Sequence, residues 1–430
     1  MTSQADYPHK VYLELTTRCN LHCSMCVKYA PNSCIPENDM EMDVFKRLLP
    51  SLAGVETLIL NGIGESLLHP HLMEIIRLAD RYTPTSATIG LQSNGALITK
   101  PMADELLDRG LNTLCLSVDD FDEPQRKKVA GEHSIRIVEK AIKHLNLARA
   151  KTNGRFTLGV EVVLRKETIA DLPRLVDWAA ENGVDYILSS HLITYDRSAE
   201  TGALFNAHSL DTVQLYQKYC AKAARQGLDF DQEFRRAEKL VLFGNKTAAN
   251  KLRESFLDEL RQNDIRLHIE HVNPLSHKDF KEITAYYIQA KQRASQAGIK
   301  LHLPPLHANQ QRECQFIKDN ATFISPTGEV MPCHFLWHTY ACRLLGQDIQ
   351  VDKRVFGSIS QDSLEDIWRS QAYKKFRDEA ARYEYANCQT CPQGPCASLV
   401  NDDGSYTNDC FGSEVPCGHC HWSLGGVHCL

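Results

Sequence analysis

Through the first 195 residues, short apolar runs alternate with stretches whose apolar residues recur at three- and four-residue intervals. The runs Val11–Leu15, Thr57–Leu60, Ala87–Gln92, Thr113–Val118, Phe156–Leu164 and Tyr186–Ser189 predict six strands. Between them, Leu72, Ile75, Ile76 and Ala79 make one helical stripe, and Ile137, Val138, Ala141, Ile142 and Leu145 another. Thr99 before Pro101, and Asp171 before Pro173, look like helix starts: an oxygen able to cap backbone N–H groups, then a residue that has none to satisfy. Strands alternating with amphipathic helices suit a parallel sheet. Six such units predict an α/β fold, a partial (β/α)6 barrel of TIM type, with chemistry where strands end and loops begin.

From about Asp196 the alternation stops. Leu210, Val213, Tyr216 and Cys220, then Leu252, Phe256, Leu257 and Leu260, are spaced for helices. They predict a helical insertion, ending in a helix from about Asp279 to Ala297, whose role is packing on the barrel or, in competition, substrate binding. A strand at Lys300–Leu303 follows. The expected domains are therefore 1–195, 196–299 and a cysteine-rich 300–430.

Charge and composition add exclusions. A net charge of −6, with 43% hydrophobic and 24% charged residues, gives no reason to expect nucleic acid or an anionic membrane as partner. Met1 to Asp6 lack the basic and apolar regions of a signal peptide. No apolar run approaches the ~20 residues that span a bilayer. A cytoplasmic chain is expected, and in a reducing compartment sixteen cysteines point to metal rather than disulfides.

Directly after the first strand, Cys19, Cys23 and Cys26 form C-x3-C-x2-C. Three soft thiolates from one loop leave one iron of a cubane cluster open for another ligand. Zinc with His22 as a fourth ligand, or thiols that are merely buried or paired, are the competing readings. The other strand ends add to the motif. Asn61-Gly62-Ile63-Gly64-Glu65-Ser66-Leu67-Leu68-His69-Pro70 follows strand two, Ser93-Asn94-Gly95 ends strand three, and Ser117-Val118-Asp119 ends strand four. Taken singly, these are also a strand-to-helix turn, an Asn-Gly turn and a cap. As a set over residues 10–195 they resemble the radical S-adenosylmethionine (SAM) enzymes, with Ser66 where a proline is usual. The resemblance implies a SAM-binding [4Fe–4S] cluster on Cys19, Cys23 and Cys26. It assigns Gly64 and Glu65 to the SAM ammonium, and Asn94 and Ser117 to its carboxylate or ribose. Glu161, Arg165 and, through its backbone, Met25 are further cofactor contacts.

A second signature lies downstream. Cys314 is followed after thirteen residues by Gly328 and after four more by Cys333, in two strand-like runs around a turn. Cys388, Cys391, Cys396, Cys410, Cys417, Cys420 and Cys429 come later. This resembles the SPASM domain, which implies two auxiliary [4Fe–4S] clusters, although the later spacing departs from the usual C-x2-C-x5-C-x3-C. Two fully ligated cubanes need eight thiolates and nine stand here, so one is spare. Cys34, Cys115, Cys220 and Cys342 read as ordinary thiols. Cys417-Gly418-His419-Cys420-His421 also fits haem attachment, and the two C-x2-C pairs also fit a zinc ribbon.

The two resemblances together imply an enzyme that reductively cleaves SAM to a 5′-deoxyadenosyl radical and abstracts hydrogen from a substrate. An electron donor of flavodoxin or ferredoxin type is expected. About ten residues precede the first strand, so a leader-peptide recognition domain is not expected there, which weighs against a ribosomal peptide. The tail Cys417–Cys429 is similar to that of SPASM proteins proposed to mature metalloenzymes, so maturation of a protein or metallocofactor is the leading expectation. Radical oxidation of a small molecule or peptide competes with it, and a zinc-stabilised interaction protein is the non-enzyme alternative.

Overall fold

The computed structural model describes residues 6–30, 33–118, 135–152, 156–195, 198–206, 208–230, 232, 247–265, 267, 277–309, 311–344, 347–388, 391 and 407–430. Six parallel strands follow the predicted order: β1 (Lys10–Leu13), β2 (Thr57–Leu60), β3 (Thr88–Ser93), β4 (Thr113–Ser117), β5 (Thr157–Leu164) and β6 (Tyr186–His191). Helices α1 (Met42–Leu48), α2 (Leu72–Tyr82), α3 (Lys100–Asp108), α4 (Ile135–Arg149) and α5 (Leu172–Glu181) alternate with them. The predicted stripe on α2 is buried in full, and that on α4 except for Ile137, which is half-buried. Both join Val11, Leu13 and the inner strands in one apolar core. Each Leu, Ile or Val side chain among them, fully buried, contributes about 1.5–3 kcal/mol relative to exposure.

The two expected helix starts differ in detail. Thr99 caps α3, its hydroxyl accepting from Met102 N–H (3.4 Å). Asp171 stands at the cap position of α5 without a capping bond from its side chain, and its carboxylate takes Arg174 Nη1 instead (3.4 Å).

The sheet extends beyond the six strands at both ends. β7 (Lys300–His302), the strand expected to open the third domain, pairs with β6. β8 (Ala321–Ile324) pairs in parallel with β1, from Lys10 opposite Ala321 to Leu13 opposite Ile324. A turn with Gly328 at φ +81° returns the chain into β9 (Glu329–Met331), antiparallel to β8. The hairpin β10 (Tyr340–Leu344) and β11 (Gln347–Val351) stands apart, and β12 (Gly357–Ser358) closes the order β12-β9-β8-β1-β2-β3-β4-β5-β6-β7.

The insertion contributes α6 (Leu210–Ala224) and α7 (Ala248–Gln262), followed by α8 (His277–Ala297). Leu215, Tyr219, Ala223, Phe230, Phe256 and Leu260 give α6 and α7 a small core of their own, whereas α8 packs on α5. Leu210, placed on the buried stripe of α6 by its spacing, is exposed. Among the described residues no helix is long and apolar enough to cross a membrane.

Candidate active site

The loop leaving β1 carries Cys19, Cys23 and Cys26 and ends in a single turn over Val27–Tyr29. It is pinned from both sides. Thr17 N–H donates to Asn38 O (2.9 Å) and its hydroxyl to Pro36 O (2.7 Å). Lys28 Nζ donates to Thr17 O (2.8 Å). Arg18 forks onto Asp39, Nε to Oδ1 at 2.9 Å and Nη2 to Oδ2 at 2.7 Å, and Nη2 also reaches Leu68 O (3.0 Å). Desolvation works to raise the Asp39 carboxyl, but hydrogen bonds from Arg18 and Thr16 outweigh it and hold it below its usual value.

A carboxyl depressed in this way contributes stability above the unfolded value of about 3.9 and loses it as pH falls through the lower folded value. The clamp is therefore expected to hold at about pH 5 and to open only in stronger acid. Asp39→Asn should loosen the loop at neutral pH, read as faster limited proteolysis between Cys19 and Cys26. Equal rates in the two proteins would show that the fork does not hold the loop.

The strand-end motifs are sewn to this loop. Glu65 N–H donates to Arg18 O (2.8 Å). A Cβ on Gly64 would lie 2.2 Å from Thr16 O and 2.6 Å from Arg18 O, so only glycine lets the two backbones approach. Glu65 is buried, its Oε1 accepting from Leu67 N–H (3.1 Å) and its Oε2 from Asn94 N–H (2.8 Å). Burial raises its carboxyl above the usual value against the pull of those two N–H groups. Asn94 Nδ2 donates to Asn20 Oδ1 (2.8 Å), tying the β3 end to the cysteine loop as well.

The three thiols, Gly64, Glu65, Asn94 and Ser117 line one cavity of about 150 Å³. Cys23, Cys26 and Ser117 also line a neighbouring cavity of about 270 Å³, with Met25, Glu161 and Tyr195. Arg165 is buried beyond the end of β5 and lines neither. Asp119 lies outside the described residues. His22, the alternative fourth ligand for zinc, stacks on Tyr29 with ring centroids 4.3 Å apart. Among the described residues, no three His, Cys, Asp or Glu side chains converge as a single metal ion would require.

Sequence reading missed several residues here. Gln92, whose amide donates to Glu161, lines the smaller cavity two residues before Asn94, so the period of a strand could have found it. Glu14 and His338, met below, had weaker signals: a lone carboxylate at the end of an apolar strand and an isolated histidine.

The later cysteines divide. Cys314, Cys333, Cys417 and Cys420 line a single enclosed, largely apolar space. Burial, then mutual repulsion, pushes the Cys333 and Cys417 thiols up, and burial takes Cys314 to about 11 and Cys420 to about 12. Were these four ionised, so dry a space would require cationic partners beside them. Cys388 lies beside Gly418, whose added Cβ would be 3.1 Å from its Sγ, and Cys391 N–H donates to Cys388 O (3.3 Å). Asp409 Oδ2 accepts from Ala386 N–H (3.3 Å), which draws the segment of exposed Cys410 towards Cys388. Cys396 lies outside the described residues.

Cys429 stands elsewhere. Its Sγ accepts from Trp422 Nε1–H (3.1 Å), lies 3.3 Å from His334 Nδ1, and faces a third cavity of about 710 Å³ between β1, β6 and β7. The tail that carries it is fixed to the barrel by Tyr12 Oη donating to Leu430 O (2.9 Å) and His428 N–H donating to Ser190 Oγ (3.0 Å). Cys115 and Cys342 are buried, Cys220 is half-buried and Cys34 is exposed.

Known proteins resemble the chain in both its halves. A match to the Radical SAM superfamily covers residues 13–179, and a match to the iron–sulfur cluster-binding domain SPASM covers 314–392. The chain is 25% identical over 423 residues, 97% of its length and 96% of the relative's, to the tungsten-containing aldehyde ferredoxin oxidoreductase cofactor-modifying protein of Pyrococcus furiosus. It is 30% identical over 176 residues, 40% of its length and 50% of the relative's, to GTP 3′,8-cyclase of Chlorobaculum tepidum. The solved structure of native anSMEcpe with bound AdoMet shares the fold, with a TM-score of 0.51 at 14% identity over 89% of this chain and 86% of that one. These matches set aside the zinc-stabilised interaction protein. The chain belongs to the radical SAM superfamily, as an enzyme with S-adenosylmethionine and iron–sulfur clusters as cofactors and a SPASM domain behind its partial barrel.

Proposed function

We propose that Cys19, Cys23 and Cys26 hold a [4Fe–4S] cluster beside bound SAM, and that the enzyme abstracts hydrogen from a substrate during maturation of a protein or its metallocofactor. The observation that carries this reading is the one cavity onto which the three thiols and the Gly64, Glu65, Asn94 and Ser117 positions open. When bound, cluster and SAM supply a 5′-deoxyadenosyl radical, chemistry beyond amino-acid side chains. The chain holds and shields. Each Glu65 oxygen accepts one bond from a backbone N–H and keeps a lone pair for an ammonium group. The Asn94 amide and Ser117 hydroxyl offer contacts to a carboxylate or ribose. Met25 and Glu161 line the adjoining space, where substrate would meet the cofactor. No contact is proposed for Arg165.

Cys314, Cys333, Cys417 and Cys420 are the proposed ligands of one auxiliary cluster. Cys388, Cys391, Cys396 and Cys410 then remain for the second, and Cys429 is the spare thiol. Near-complete coverage of the Pyrococcus furiosus relative, named for cofactor modification, supports the maturation reading. A one-electron donor of flavodoxin or ferredoxin type completes the proposal.

Protein prepared without oxygen is expected to hold about twelve irons per chain, with matching sulfide. Cys333→Ala should lower this by about four, and Cys429→Ser should leave it unchanged. Zinc in place of iron after anaerobic reconstitution would overturn the reading. Deuterium transfer into 5′-deoxyadenosine from labelled candidates would separate a protein substrate from a small molecule.

A further inference from the structure

Glu14 ends the apolar run of β1 and is completely buried, at 0% exposure. A carboxyl group in such a place is costly unless both oxygens find partners, and both do. Oε1 accepts from Ile63 N–H at 2.6 Å, and Oε2 accepts from His338 Nε2–H at 2.8 Å. The site is shaped around the carboxylate: a Cβ on Gly62 would lie 2.3 Å from Glu14 Cγ and 2.3 Å from its Oε1.

The two partners belong to different parts of the enzyme. Ile63 sits between Gly62 and Gly64 in the loop that lines the thiol cavity. His338 lies on the loop between β9 and β10, the loop that also carries Cys333 of the four-thiol set. The ring of His338 is packed edge-on against Trp337 (5.2 Å) and Phe323 (6.3 Å), so its Nε2 is aimed at Glu14 by the C-terminal module itself.

We propose that Glu14 and His338 are a positioning pair that makes the SAM pocket depend on the auxiliary-cluster domain. Occupancy of the Cys333 set fixes the β9–β10 loop. That loop places His338, His338 orients the Glu14 carboxylate, and Glu14 holds the Ile63 N–H and with it the Gly62–Glu65 backbone. Neither residue touches the reacting atoms. The inference rests on reading the thiol cavity as the SAM site.

The test uses anaerobic full-length holoprotein, with SAM affinity from equilibrium dialysis and the electron paramagnetic resonance spectrum of the reduced protein with and without SAM. His338→Ala leaves a buried carboxylate oxygen without its donor and should weaken SAM binding about ten- to a hundredfold at unchanged iron content. His338→Gln keeps a side-chain N–H and should recover most of the affinity, whereas His338→Leu should not. Cys333→Ala should weaken SAM binding as well, and adding His338→Ala should then cost little more, because the two act through one contact. Wild-type affinity and spectrum in His338→Ala overturn the inference, as do independent, multiplying effects of the two substitutions. If the alanine variant loses iron, Gln against Leu decides, and iron loss in all three variants also overturns it. Wild-type protein that binds no SAM would instead bring down the reading of the cavity.

Discussion

Replacing Cys23 with alanine is expected to remove about four irons per chain and to reduce 5′-deoxyadenosine formation to background. Cys19→Ala and Cys26→Ala should do the same. On the proposed ligation the loop offers three thiols and leaves the fourth iron for SAM, so no protein ligand takes over when one is lost. Nor can a neighbour stand in: His22 is stacked on Tyr29, and the other candidate thiols belong to separate spaces around Cys314 and Cys388. For the same reason the auxiliary irons should stay, so the loss should stop at one cluster. Cys34→Ala, an exposed cysteine just beyond the loop, is the control and should change neither quantity. SAM cleavage that survives in Cys23→Ala would sink the assignment of these thiols.

Gly64→Ala is the second large effect. The new methyl group would meet two backbone carbonyl oxygens, Thr16 at 2.2 Å and Arg18 at 2.6 Å. Backbone cannot rotate aside as a side chain can, so one loop must move. Overpacking of this kind typically costs about 1–3 kcal/mol, and here it also pulls apart the Glu65 N–H to Arg18 O bond that joins the two loops. The variant should unfold at a lower temperature and lose at least about tenfold in SAM affinity, the equivalent of 1.4 kcal/mol. Thermal unfolding together with SAM dialysis checks both. A Gly64→Ala protein equal to wild type in both would mean that the loops need not approach as described.

Much of this was legible in the order of residues. The six strands of the barrel were read within a few residues, because short apolar runs between amphipathic stripes have few other uses. The motifs at their ends were found for a related reason: a parallel sheet brings successive strand ends to one rim. What stayed hidden was decided by distant pairing. Spacing left nine thiols for eight places, and only the folded chain sets Cys417 and Cys420 beside Cys314 and Cys333 while carrying Cys429 off to Trp422 and His334. Glu65 was read through its resemblance as a ligand for SAM, and that both its oxygens are also held by backbone N–H groups could not be seen in a motif. The place of the Ala321–Ile324 strand was equally invisible, since parallel pairing leaves no turn signal between partners.

That last pairing has a consequence for how the protein is made. β1 leaves the ribosome well before β8, yet one of its two edges is covered only by that later strand, from Lys10 opposite Ala321 to Leu13 opposite Ile324. Until then the strand that bears the cysteine loop presents open backbone groups to any other chain nearby, the state in which sheets join wrongly. Closing so long a separation is slow. Iron delivered to the nascent chain would therefore meet a cysteine loop anchored on one side only. Arrival of β8, rather than completion of the barrel's own six strands, marks when the strand that carries this loop is covered on both edges.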